Sequence, residues 1–170
     1  YDVGVLRCLL DATVKSERNG SLCFNTHPIG YSCISIPMGA PLQFPMSQWS
    51  ISTWVSQPVI GTEIFLVQMV QNVNGSEKCA LAVSASQNGL RVTYGMKPMF
   101  DAVALERTWN HIVLVSREKK LSLYVNGVLR GTQKPSVMPP APFRCIIGHA
   151  KENKVIPNTV FKVGPFKMLD

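Results

Sequence analysis

Three histidines, five cysteines and ten acidic residues are the groups in this 170-residue chain able to hold a metal or move a proton. Their spacing assembles none of the common sites. His27, His111 and His149 stand far apart, and neither C-x-x-C nor H-x-x-x-H occurs, so no zinc site is expected. A Ser/Cys-His-acid triad is built from distant positions, so spacing alone says little about one. No nucleophile-elbow motif points to it here. His111, in Trp109-Asn110-His111 at a strand start, reads as structural. No catalytic residue, metal ligand or cofactor is assigned.

The basic residues are the better candidates. Residues 117–170 hold ten Lys and Arg against three acids and so account for the whole formal charge of +7. Arg117, Lys119 and Lys120 crowd one polar turn, and Lys151 and Lys154 lie in a late polar loop. Binding residues concentrate on loop tips held by a rigid scaffold. Charge this dense and imprecise suits a diffuse contact with an anionic partner, such as a glycosaminoglycan, a phospholipid head group or an acidic protein. The plain alternative is a solvated polar face. Nucleic acid fits poorly, because no recognition helix, RNP-type motif or Cys/His finger is present. Trp49, Trp54 and Trp109 read as core. Trp54, on the serine-lined face of its segment, is the one of the three whose face is a candidate partner surface.

The elements that must position these residues are strands. In Trp109–Thr132, WNHIVLVSREKKLSLYVNGVLRGT, the run Ile112 to Val115 is apolar and β-branched, as in a well-buried strand. Leu121, Leu123 and Val125 alternate with polar neighbours. Asn126-Gly127 then turns the chain, since a type I′ turn needs positive φ at both central residues. The same reading places strands at 3–10, 21–24, 32–36, 49–56, 64–70, 78–86, 90–94, 143–148 and 160–169, with 12–21 and 95–108 as loops. Proline-rich 135–142 cannot join a sheet interior. No helix and no fixed-period repeat emerges. The fold class is an all-β antiparallel two-sheet sandwich, one domain over 1–170.

The odd cysteine count leaves at least one of Cys8, Cys23, Cys33, Cys79 and Cys145 without a partner in the chain. Strand alternation puts Cys23 and Cys33 on the faces opposite Leu22/Phe24 and Ile34/Ile36. They are the first choice for a disulfide, on neighbouring strands. Sequons at Asn19 and Asn74 both lie in Asn-Gly turns, where an acceptor is exposed. Together these tilt the expectation towards an extracellular or cell-surface setting. A reduced cytosolic domain stays open, because Cys also serves as a small core residue. No apolar run reaches the ~20 residues of a membrane span. The start at Tyr1 suggests a domain excised from a larger protein.

Several of these segments, taken in order, resemble the concanavalin A-like jelly roll in its laminin-G-like and pentraxin-like branch. QWSISTWVS is similar to that family's "F-S-I-S-x-W-V" strand. ERTWNHIVLVSREKKLSLYVNGVLRGT resembles its W-x-H strand followed by "L-x-L-Y-V-N-G". NGLRVTYG, FRCIIG and VFKVGPFKML resemble further strands, the last with Lys162 and Val163 where relatives often carry acids. The resemblance implies a non-catalytic recognition or adhesion module that binds a protein or a heparin-like glycan through loops or a sheet face. A pentraxin-type calcium site is not expected. The loop 149–159 offers Glu152, Asn153 and Asn158 beside Lys151 and Lys154, and calcium wants six to eight oxygens with several carboxylates. Nor is glycosidase chemistry, which needs a paired acid and base or nucleophile. Two alternatives stand beside this reading: a structural domain of a large cytosolic scaffold of the BEACH type, and a lectin-like or degenerate carbohydrate-active domain.

Overall fold

The structure is a computed structural model. It describes residues 9–10, 14–16, 22–25, 32–37, 48–56, 63–95, 97–135, 144–149 and 160–169. These form β1 (Leu9–Leu10), β2 (Val14–Ser16), β3 (Leu22–Asn25), β4 (Ser32–Pro37), β5 (Gln48–Ser56), β6 (Ile64–Val73) and β7 (Ser76–Ser86). The chain continues with β8 (Gly89–Tyr94), β9 (Lys97–Val103), β10 (Trp109–Arg117), β11 (Lys120–Val125), β12 (Val128–Gln133), β13 (Arg144–His149) and β14 (Val160–Leu169). There is no helix among the described residues. Two seven-stranded antiparallel sheets result. The first runs β1-β4-β13-β6-β7-β8-β9 and the second β12-β11-β10-β5-β14-β3-β2. This is the sandwich expected from strand alternation.

Period-2 patterning builds the core. In β5, Trp49, Ile51, Thr53 and Val55 are buried while Ser52, Trp54 and Ser56 face outward. In β10 the inward residues are Asn110, Ile112, Leu114 and Ser116. Val113 and Val115 are only half-buried on the outer face, so the apolar run 112–115 is not covered on both sides as its sequence suggested. β13 is buried on both faces. Cys145 and Ile147 enter the main core, and Ile146 packs on the other side with Val70 and Cys33. Phe24 and Phe161 stack at 5.1 Å across the β3–β14 pair.

Two segments read as loops are strands. Val14–Ser16 pairs with β3 at the margin of the second sheet, too short to show a pattern. Lys97–Val103 is the edge of the first sheet, and Pro98 is admissible there because an edge strand needs no donor on its open side. The β7–β8 hairpin contains Asn88-Gly89 but does not turn on that pair. Gln87 and Asn88 make the turn, and Gly89 alone carries positive φ, +111°. A Cβ on Gly89 would lie 2.4 Å from the Val103 carbonyl oxygen, so only glycine fits where β8 meets β9. The first strand is described only as Leu9–Leu10, paired with β4.

Candidate functional site

The exposed end of the β10–β11 hairpin carries Arg117, Glu118, Lys119 and Lys120. Arg117 pairs with Lys120, leaving a two-residue turn in which Glu118 and Lys119 take φ of 52° and 59°. The β6–β7 and β11–β12 hairpins close by the same two-residue device, but with Asn74-Gly75 (53°, 80°) and Asn126-Gly127 (53°, 77°). Asn and Gly are the residues that tolerate this geometry, whereas Glu and Lys enter it at a cost of about 1 kcal/mol each. Arg117 reaches Glu118 at 3.6 Å, and both side chains are about 70% exposed, so this pair adds little. Lys119 and Lys120 are exposed.

Register brings two further lysines to this end. Gln133 pairs with Leu121, which puts Lys134 level with Lys120 one strand over. On the facing sheet, a Cβ at Gly131 would touch the Phe100 ring at 3.3 Å, so β12 and β9 lie edge over edge. The short link 104–108 joins the end of β9 to the start of β10, so β9 runs opposite to β10 and hence to β12. Three residues from the Gly131–Phe100 contact, towards the tip end, stand Lys134 on one strand and Lys97 on the other. Neither was a candidate from sequence. Lys97 sat in an expected loop, and Lys134 sat beside a proline-rich segment with no hint of its neighbours.

What holds the hairpin is the Trp-Asn-His and Asn-Gly pair of motifs. Asn110 is fully buried; its Nδ2 donates to the carbonyls of Glu106 (2.9 Å) and Thr108 (3.2 Å), and its Oδ1 accepts from the Glu106 N–H (2.9 Å). The same Oδ1 accepts from Asn126 Nδ2 at 3.2 Å. Asn126 Oδ1 accepts the His111 N–H at 2.8 Å, and the Asn126 N–H donates to the His111 carbonyl at 2.8 Å. The most recognisable stretch of the sequence is therefore a hydrogen-bonded lock between the start of β10 and the β11–β12 turn.

The histidines do not gather. His111 sits on the outer face, its Nε2 2.8 Å from Ser52 Oγ and its ring stacked on Trp54 at 4.7 Å. Trp54 is 42% exposed, on the face where sequence placed it. β14 bulges beside it, and a Cβ on Gly164 would fall 2.8 Å from Trp54 Cβ. His149 does not belong to the expected loop 149–159; it ends β13, buried, and Nδ1 accepts the Phe65 N–H at 3.2 Å. His27 lies outside the described residues. Among the described residues no three His, Cys, Asp or Glu converge as for a metal. A charged network on the outer face of the first sheet went unread in the sequence. Arg91 bridges Asp101 (2.9 Å) and Glu63 (3.5 Å), and Ser84 donates to Glu63 at 2.6 Å. The Arg91 guanidinium holds the Asp101 carboxyl below its usual range.

The expected Cys23–Cys33 disulfide is not formed. Cys23 is on β3 in the second sheet and Cys33 on β4 in the first, so the strands are not neighbours in one sheet. Phe24 points into the core, so Cys23 points out, and Cys33 packs on the opposite outer face with Val70 and Ile146. Cys145 is a buried thiol whose pKa desolvation pushes up to about 12, and burial also raises that of Cys79. Asn74 is exposed at its turn. Lys151, Lys154 and Asn19 lie outside the described residues.

A sequence profile described as the concanavalin A-like lectin/glucanases superfamily, of laminin-G type, matches residues 30–158. The chain belongs to that superfamily. No curated protein matches the sequence. Among solved structures, the concanavalin A-like sandwich seen here superposes on the botulinum neurotoxin serotype D binding domain with a TM-score of 0.74. Identity is 11%, over 95% of this chain and 42% of that one. Trypanosoma rangeli sialidase gives 0.71 at 20% identity, over 93% of this chain and 26% of the enzyme. At such identities the likeness concerns the fold alone. The chain spans less than half of either neighbour.

Proposed function

We propose that this domain is a non-catalytic recognition module of a secreted or cell-surface protein, and that it holds an anionic, heparin-like glycan at the β10–β11 tip. The observation that carries the reading is the Glu118-Lys119 turn. Two other two-residue turns in the same molecule use Asn-Gly, yet this one keeps two long charged side chains at positive φ. Strain retained at an exposed tip is a mark of selection for something besides folding. It presents Lys119 and Lys120 on a stem that packing and the Asn110–Asn126 lock make rigid, which lowers the entropy lost on binding. A fold shared with a toxin's binding domain fits a recognition role.

Heparin-affinity measurement tests this. The domain should bind heparin with an affinity that falls steeply with salt, and Lys119→Glu/Lys120→Glu should weaken binding at least ten-fold. Binding that ignores salt, or that survives this double substitution, would refute the assignment. A second reading, the cytosolic scaffold, draws support from the cysteines: Cys145 is a thiol in the apolar core, and Cys23 and Cys33 lie on opposite faces. Protein from its natural source separates the two. Five titratable thiols after unfolding with no glycan at Asn74 would favour the scaffold, and an occupied Asn74 the extracellular module.

A further inference from the structure

We infer that the anion site is not the hairpin tip alone but a lysine arc that crosses from one sheet to the other: Lys119 and Lys120 at the tip, Lys134 after β12 and Lys97 at the start of β9. The inference rests on the glycan reading above and extends it to residues on the facing sheet. The register puts Lys134 one strand from Lys120, and the Gly131–Phe100 contact fixes β9 beneath β12. With strands about 5 Å and sheets about 10 Å apart, the four Cα positions follow an arc of roughly 15 Å. Adjacent members then stand at about one Debye length in physiological salt, so their fields add.

Among the described residues no acid pairs with this arc. The described acids nearest it in sequence are engaged with arginines, Glu118 with Arg117 and Asp101 with Arg91. Lys97, Lys119, Lys120 and Lys134 are all exposed, and none forms an ion pair among the described residues. Among the described residues the arc has no apolar anchor. The exposed large hydrophobics among the described residues are Trp54, Val128 and Leu129; Val128 and Leu129 begin β12, at the opposite end from Lys134. A protein partner wants an apolar centre ringed by polar contacts, which the described residues at this end do not offer. A linear sulfated glycan needs only a row of cations along its length. Lysine ammonium groups, compact and freely rotating, suit sulfate esters of variable spacing better than a bidentate arginine fork would.

The experiment compares heparin, N- and O-desulfated heparin, poly-glutamate and phosphatidylserine vesicles as probes of wild type, Lys97→Glu/Lys134→Glu and Lys119→Glu/Lys120→Glu. Every exchanged position in these variants is solvent-exposed, and circular dichroism and thermal melting confirm that the variants fold. The expected result is that heparin binds, desulfated heparin does not, and Lys97→Glu/Lys134→Glu weakens heparin at least ten-fold. The slope of log affinity against log salt should fall by about one to two units, as when one or two cations cease to neutralise a polyanion. If the tip pair matters but the Lys97/Lys134 pair leaves affinity and slope unchanged, the arc is wrong while the tip site stands. If wild type ignores heparin, the glycan reading fails and the arc with it. Preference for poly-glutamate or vesicles over heparin also overturns the proposal, in favour of an acidic protein or a lipid surface.

Discussion

Replacing Glu118-Lys119 by Asn-Gly should make the domain more stable. Both residues lie in the left-handed region, at φ 52° and 59°, where a side chain beyond Asn crowds the backbone. Relief is worth about 1 kcal/mol at each position, and the extra freedom of glycine in the unfolded chain takes back roughly 0.5–1 kcal/mol. Loss of the exposed Arg117–Glu118 pair takes a few tenths more. The net expectation is a gain of about 1 kcal/mol, or ~2–4 °C in Tm for a chain of this size. The exchange removes one charge of each sign, so net charge stays at +7 and global repulsion cannot produce the effect. Urea unfolding at unchanged m-value, with melting in parallel, measures it. Asn126→Glu/Gly127→Lys is the reciprocal control. It should destabilise by more than the gain, because Asn126 also bonds His111 and Asn110. A midpoint for the Asn-Gly variant equal to or below wild type would show that the tip is unstrained and would remove the main support for its role. If the role is right, the stabilised variant binds heparin several-fold more weakly, the usual trade between stability and function.

Asn110→Ala should cost about 2–4 kcal/mol, since it strands the Glu106 N–H, two carbonyls and Asn126 Nδ2. The melting point should drop by roughly 5–15 °C, and a drop under about 2 °C would contradict the lock. Burial pushes the Tyr94 phenol up to about 12, so folding favours its protonated form. That contribution is complete below the unfolded value near 10 and disappears as pH rises through 12. Stability of wild type should therefore fall by up to about 2 kcal/mol more than that of Tyr94→Phe over this window, and parallel curves would exclude it. Cys145 should resist a thiol reagent at pH 8 in the native protein and react fully in urea; rapid native labelling of Cys145, read by peptide mapping, would contradict its place in the core.

Most of the architecture was legible because alternation and turn chemistry are local. The bounds of β14 were read to the residue, and those of β3, β4, β5 and β13 to within one. The missed strands fail for local reasons as well. β2 is three residues long, and β9 carries Pro98 and the exposed polar Asp101, which on sequence alone look like a loop. The half-buried β10 and the fully buried β13 carry similar apolar runs, and periodicity cannot tell them apart. For the site, the charged tip was visible as a cluster of residue types, but its strain was not, since φ is a property of the folded hairpin.

By itself the sequence determined that the chain folds as an antiparallel sandwich, where Asn126-Gly127 turns, and which turn concentrates positive charge. Those outcomes follow from side-chain volume, β-branching and glycine's backbone freedom, which act over a few residues. Only the tertiary structure decided which strands are neighbours. Sheet membership is set by long crossovers that bury apolar faces together, and no local preference encodes it. That is why Cys23 and Cys33 ended on opposite outer faces, why His149 was drawn from an expected loop into the interior, and why Lys97 and Lys134, 37 positions apart in sequence, come to the same end as the Lys119–Lys120 tip.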